Sequence, residues 1–231
     1  MRKRKIVVLT GAGISAESGL QTFRDADGLW EGYNVYDVAT PQAWLRNPIL
    51  VQDFYNNRRR SVLDAKPNEA HKALVLLDQE FDVQIITQNI DDLHERAGSK
   101  NIIHLHGIIT KSQSEKYPDL IYNIEGDELK MGVFCEKGHQ LRPHVVWFGE
   151  AVPNIEKAVE VCCRADIALI IGTSLQVYPA AGLVDVLPHT STIYFVDPKT
   201  TISHLSNLIQ IKENAVKGVP ELVNRLMEKR P

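Results

Sequence analysis

An apolar run, Ile6-Val7-Val8-Leu9, passes straight into the glycine-rich stretch Thr10 to Gly19, and this junction limits the fold of the 231-residue chain more than any other feature. A continuous apolar run bounded by glycines reads as a strand buried on both faces, which belongs in a parallel sheet covered by helices. The exit has what a backbone needs to hold a pyrophosphate at a helix start: Gly11 for the tight turn, Gly13 for close approach and Ala16 for helix-to-strand packing. The GxGxxA spacing alone is common. Ser15, Glu17, Ser18, Thr22, Arg24 and Asp25 supply polar groups that a purely structural turn does not need.

In an ordinary dinucleotide fold a second strand would follow, ending in an acid for a ribose hydroxyl. Here an aromatic, turn-rich segment from Asp25 to Trp44 comes next, then a helix-like run, PILVQDFYNNRRRSVL, before the strand-like Val83–Thr87. That layer of loop and helix suits a mobile cover over a bound cofactor. Further βα units follow. Asn68 caps a helix to about Phe81, Asp91 and Asp92 open a short helix that Gly98 ends, and Ile102–Leu105 is a short strand. Residues 108–146 lose helical periodicity and read as a β-rich insertion with hairpin pieces at Leu120–Ile124 and Leu129–Val133. A helix from Pro153 to about Arg164, a buried strand Ile167–Ile171, a helix from Pro179, strands at Thr192–Val196 and Leu208–Ile211 and a closing helix from Gly218 to about Lys229 complete the chain. The class is α/β.

A formal net charge of −3 with dispersed bases leaves no electrostatic footprint for nucleic acid. No apolar stretch approaches the roughly 20 residues of a membrane span, and no signal-peptide pattern is present. Cys135, Cys162 and Cys163 are too few for a disulfide framework. A cytoplasmic protein follows, and a monomer is expected.

Polar groups recur where the strands end: the first loop, Thr87-Gln88-Asn89-Ile90-Asp91, His104-Leu105-His106-Gly107, Gly172-Thr173-Ser174, and Asp197. Open α/β sheets bind ligands at the carboxyl ends of their strands, so five polar ends on one rim point to a site. In this order and at these intervals, GAGISAESGLQTFRD, TQNIDDLHERAG, HLHG, VVWFGE and GTSL resemble the sirtuins, NAD-dependent protein-lysine deacylases, over essentially the whole chain. The resemblance implies a large part with a Rossmann-type parallel sheet carrying helices on both faces, at about 1–27, 73–106 and 148–231, and a small domain formed by two insertions, at about 28–72 and 107–147. NAD and acyl-lysine are expected in the cleft between them, without nucleic-acid or membrane partners.

Carried over residue by residue, His106 matches the general base, and Asn89 and Asp91 match the groups that position the nicotinamide end and its ribose. Gln88 matches a ribose contact, Thr173 and Ser174 adenosine-side and phosphate contacts, and Asp197 and Ala215 adenosine contacts. Gly11, Ala12, Gly13, Ser15, Ala16, Glu17, Thr22, Phe23, Arg24, Ile90 and Gly172 complete the expected cofactor set. Val145 to Glu150, and within it Val146, Trp147, Phe148, Gly149 and Glu150, resembles the strand that pairs with a substrate backbone. The remaining helical and loop histidines His71, His94, His189 and His204 read as solvated or packed.

Tyr55 and Arg58 lie three apart on the inserted helix, hence on one face. They match the Tyr-x-x-Arg pair of the sirtuin class that removes succinyl and malonyl groups, where a guanidinium takes a terminal carboxylate bidentately. Ala26 would leave room for a longer acyl chain, and Gln21 departs from the family's usual proline. Most sirtuins build a zinc site from two Cys pairs in the small domain. This chain has only Cys135 there, with His139 four residues on, so no zinc is expected, and the insertion is expected to pack through Tyr117, Leu120, Tyr122, Leu129 and Phe134. A plain deacetylase, a sirtuin-fold ADP-ribosyltransferase and a non-catalytic NAD-binding module are the alternatives. The third would have no use for His106 and Asn89.

Overall fold

A computed structural model of the chain describes residues 2–22, 29–30, 32–200 and 207–228. In chain order, β1 (Lys5–Thr10) precedes a short antiparallel pair, β2 (Leu29–Trp30) with β3 (Tyr33–Asn34), and four helices, α1 (Val35–Val38), α2 (Pro41–Arg46), α3 (Pro48–Asp64) and α4 (Glu69–Leu76). Next come β4 (Asp82–Thr87), α5 (Leu93–Ala97), β5 (Ile102–His104), β6 (Gly107–Ser114), β7 (Ile121–Asn123) and β8 (Leu141–Val145). The chain returns through α6 (Ile155–Cys162), β9 (Ile167–Ile171), β10 (Thr192–Val196), β11 (Leu208–Ile211) and α7 (Ala215–Glu228).

Six strands form one parallel sheet in the order β11-β10-β9-β1-β4-β5. Because strand side chains alternate, Ile6 and Val8 pack with α4 and α7 on one face, while Val7 and Leu9 pack with α6 on the other. This is the Rossmann-like sheet covered on both sides. The register sets Thr10 beside Thr87 and Ile171, Thr87 beside His104, and Ile171 beside Val196, so the polar strand ends share one rim. No helix among the described residues is long and apolar enough to cross a membrane.

A third apolar cluster joins α1, α2 and α3 to the second sheet, β7-β6-β8, and to Ile90, Leu93, Val145 and Trp147. One face of α3 locks this sheet in place with polar side chains. Gln52 Nε2 and Asn56 Nδ2 donate to Leu129 O at 2.6 and 3.1 Å, Asn56 Oδ1 accepts from Leu129 N at 2.9 Å, and Arg59 Nε donates to Ile109 O at 2.8 Å. All three side chains are buried, and burial pushes the Arg59 guanidinium down to about 10.

Several local expectations are corrected. The first loop forms two 3-10 turns, Ala12–Ile14 and Ala16–Ser18, in place of an α-helix start, and Gly19 at φ 90° ends the second. The run from Pro179 also makes a 3-10 turn, Ala180–Val184, and α7 begins at Ala215, three residues before Gly218. Leu129–Val133 is not a strand, since its Leu129 backbone is taken by α3; the partners of β6 are β7 and β8. Phe134 is 58% exposed and Tyr117 lies beneath the Lys137 ammonium, so Leu129, Cys135 and Leu141 form the core of the insertion, with Leu120 and Tyr122 packed against it.

Candidate NAD and acyl-lysine site

The first loop and the loop after β9 are built around each other. Gly13 N donates to Gly172 O at 2.8 Å, and a Cβ on Gly13 would stand 2.6 Å from Gly172 Cα. Gly172 itself sits at φ 59°, where a side chain would meet Ile14 N at 2.5 Å. These glycines therefore bring two strand-end loops together, a use that the phosphate reading of Gly13 missed. Gln88 Nε2 extends the seam by donating to Thr173 Oγ1 at 3.2 Å.

Beneath the rim a short chain of bonds runs through the catalytic candidates. Asn89 Nδ2 donates to Ser15 Oγ at 3.2 Å, and Ser15 Oγ donates to Asp91 Oδ2 at 3.0 Å. Asp91 Oδ1 accepts from Leu93 N at 3.1 Å. Burial holds the Asp91 carboxyl above its ordinary range, against those bonds. His106 Nδ1 lies 3.0 Å from Gln88 O. A carbonyl only accepts, so Nδ1 carries the hydrogen and Nε2 keeps its lone pair. Burial lowers the His106 pKa, opposed by the Gln88 bond, so the ring is neutral at neutral pH.

One cavity of about 470 Å³ joins the two ends of this rim to the inserted helices. It is lined by the cofactor candidates Gly11, Ala12, Gly13, Ser15, Ala16, Glu17, Thr22, Gln88, Asn89, Ile90, Asp91, Gly172, Thr173, Ser174, Asp197 and Ala215, by His106, and by Tyr55, Arg58 and Val146 to Glu150. Phe23, Arg24 and Ala26 lie outside the described residues. Two carboxylates are committed to the frame. Glu17 accepts from Val216 N and Asn214 Nδ2, both at 3.2 Å, at the start of α7, and Asp197 Oδ1 accepts from Lys199 N at 2.9 Å and Thr200 N at 2.6 Å.

At the far end, Arg58 Nη2 donates to Gln21 O at 3.1 Å and its guanidinium lies 5.6 Å from the Trp30 ring centroid. Trp30 also meets Tyr55 edge-on at 6.1 Å. Trp30 and Val62, which complete this wall, carry no signal in the sequence beyond being apolar. The Tyr55 hydroxyl and the Trp147 indole nitrogen are buried with no well-formed hydrogen bond among the described residues, and burial, opposed by the neighbouring Trp147 indole, drives the Tyr55 pKa upward. Orphaned groups of this kind cost about 1–3 kcal/mol each, which a polar ligand atom would relieve.

Val145 ends β8, and the next residues form a turn in place of the expected continuous strand. Val146 N donates to His106 O at 3.0 Å and Phe148 N to Ala39 O at 3.0 Å. Glu150 Oε2 accepts from Trp147 N at 2.8 Å while its Oε1 accepts from Arg142 Nη2 at 2.6 Å, and the Arg142 guanidinium lies 3.9 Å from the Trp147 ring centroid. Glu150 thus shapes this loop from within. The Cys135 thiol donates to Ser114 Oγ at 3.4 Å, and among the described residues no three His, Cys, Asp or Glu side chains converge as metal donors. Among the described residues, then, Cys135 is not joined by the further donors that a tetrahedral zinc takes.

Comparison with known proteins gives a concordant picture. The model of the Sir2 family matches residues 11–179. An NAD-dependent protein deacylase of Helicobacter pylori is 51% identical over 226 residues, covering 97% of this chain and 98% of that protein. A crystal structure of a Sir2 homolog–NAD complex superposes with a TM-score of 0.88 at 36% identity, covering 98% of this chain and 90% of the other. A Sir2 complex with a p53 peptide and NAD+ gives 0.79 at 30% identity, with 98% and 93% covered. The chain belongs to the Sir2 family.

Proposed function

We propose that this chain is an NAD-dependent protein-lysine deacylase that favours acyl groups ending in a carboxylate, with His106 as general base. The observation that carries the reading is the single cavity that joins His106 to the Tyr55 and Arg58 pair. The relatives' name and the NAD and peptide complexes of the structural neighbours support the NAD-dependent deacylase part of it. NAD fits the donor set: a glycine-rich loop at one strand end, hydroxyls of Thr173 and Ser174 at another, and buried Asn89 and Asp91 between them. When bound, NAD supplies an electrophilic ribose carbon that accepts the acyl oxygen as nicotinamide leaves.

The protein's own residues then hold and move protons. Asn89, fixed through Ser15, places its carboxamide at the nicotinamide end. His106 Nε2 takes a proton from a ribose hydroxyl, and its hydrogen bond to Gln88 O keeps the ring in the tautomer that can do so. The loop Val146 to Gly149 binds the substrate main chain, and Trp147 lines the cavity that the acyl-lysine enters. Arg58 and Tyr55 take the acyl carboxylate, which an acetyl group lacks. We also read the small domain as zinc-free, held by the Gln52, Asn56 and Arg59 contacts.

The test is a comparison of kcat/KM on one peptide carrying succinyl-, malonyl- or acetyl-lysine, with NAD supplied. Succinyl and malonyl should exceed acetyl. Acetyl equal to or above both would leave a plain deacetylase, and transfer of ADP-ribose to protein without deacylation would leave the transferase.

A further inference from the structure

His104 stands two residues before His106, and the two rings grip consecutive carbonyls of the loop that carries Asn89. His106 Nδ1 meets Gln88 O at 3.0 Å, and His104 Nδ1 meets Asn89 O at 3.3 Å. The His104 ring is buried at 8% exposure, and its Nε2 meets Glu95 Oε1 on α5 at 2.7 Å. A carbonyl and a carboxylate both accept, so the ring meets an acceptor at each nitrogen, and only a hydrogen on both would satisfy the pair. Burial, the largest single influence, would raise the Glu95 carboxyl; the contact with His104, its own backbone amide and the Lys111 charge together outweigh it and leave Glu95 below its usual range. The surroundings are fixed as well: Asn154 Nδ2 donates to His104 O at 2.9 Å, and Arg96 of α5 is bonded to Val62 O and Ala65 O.

Asn89 is then held at three points: its amide by Thr87 Oγ1 at 3.0 Å, its side chain by Ser15, and its carbonyl by His104. The first anchor is the buried end of β4 and the second lines the cleft. The third reaches out to a partly exposed carboxylate on a separate helix, which a merely packed histidine would not need.

We propose that Glu95 and His104 are positioning residues, a dyad that holds the Asn89 main chain so that its carboxamide stays in register with His106. Without Glu95 nothing holds a hydrogen on Nε2 alongside the one on Nδ1; the ring keeps one hydrogen, and whenever Nε2 carries it Nδ1 turns a lone pair toward Asn89 O and the anchor is lost. The proposal rests on the NAD reading of the cleft. It concerns the nicotinamide end alone, since the adenosine end is built from other strand ends.

Calorimetric binding of NAD and of ADP-ribose, which lacks nicotinamide, tests this in the full chain. Glu95→Ala should bind NAD about tenfold more weakly, the scale of a hydrogen bond to a charged group, and ADP-ribose within about twofold of wild type. Glu95→Gln should recover most of the NAD affinity, because its amide can donate to a neutral His104 Nε2 and leave Nδ1–H on Asn89 O. Amide hydrogen exchange at Gln88 to Asp91 should quicken in Glu95→Ala and not in Glu95→Gln. Equal losses for both nucleotides, no loss for either, or a Gln variant as weak as Ala would overturn the dyad. A wild-type chain that binds neither nucleotide would instead overturn the NAD reading, and the exchange measurement would then decide the positioning role alone.

Discussion

Arg58 is 7% exposed and faces the cavity beside a fully buried tyrosine, where desolvating a cation is costly; Gln21 O and the Trp30 ring are among its partners. A carboxylate ligand offsets that cost. Arg58→Met should therefore lower kcat/KM for succinyl-lysine by about 10- to 200-fold, since a bond to a charged group is worth roughly 1.5–3 kcal/mol, and leave acetyl-lysine near wild type. Equal loss on both substrates would show only a disturbed α3. His106→Ala should cut turnover by on the order of 10²- to 10⁴-fold while calorimetry finds NAD binding largely kept. At this scale much was legible, because strand-end polar residues carry their own chemistry. Trp30 and Val62 were not legible: their role comes from where α3 and the β2–β3 pair bring them. The commitment of Glu150 to Arg142 was hidden for the same reason, since a pair eight residues apart across a turn has no periodic signature.

On the proposed zinc-free reading, α3 holds the insertion that a metal would otherwise brace. Gln52, Asn56 and Arg59 follow helical spacing and reach the backbone of the insertion at Leu129 and Ile109, while Arg60 pairs with Asp127 at 2.9 Å from outside. Asn56→Ala would orphan the buried Leu129 amide and take a 2.5 Å contact from Arg59 Nη1, so urea unfolding should show a loss of about 1–3 kcal/mol. Chelator treatment should leave the melting temperature unchanged. Zinc found tightly bound at one per chain, with unfolding on its removal, would refute the zinc-free reading. The sequence showed α3 clearly by its Pro48 start and its length. It did not show β6, because Thr110-Lys111-Ser112-Gln113-Ser114 is polar and lacks alternation; these residues become a strand by pairing with β7 and β8.

Across the whole molecule, packing is made pH-sensitive by two buried neutral histidines, His71 on α4 and His94 on α5, whose ring centroids lie 5.0 Å apart. Burial pushes His71 from 6.5 down to about 4 and moves His94 well below 6.5. A depressed folded pKa means full stability above 6.5 and progressive loss as pH falls toward about 4, where the unfolded chain binds protons that the folded one does not. His71 alone accounts for about 3 kcal/mol of that loss, at 1.36 kcal/mol per pKa unit. The raised Asp91 carboxyl acts in the opposite sense over its own range. Denaturant midpoints measured between pH 7 and 4 should fall accordingly, and a flat profile would contradict the buried neutral histidines. The parallel sheet was legible from continuous apolar runs, whereas the joining of sheet and insertions around one cleft depends on long-range packing that no local pattern encodes. The central claim is that this joint cleft transfers an acyl group from lysine to ADP-ribose. Mass spectrometry of the purified chain with NAD and a succinyl-lysine peptide should find one O-succinyl-ADP-ribose and one free lysine per nicotinamide released. Nicotinamide release with ADP-ribosylated protein and an intact succinyl-lysine, or no consumption of NAD at all, would contradict it.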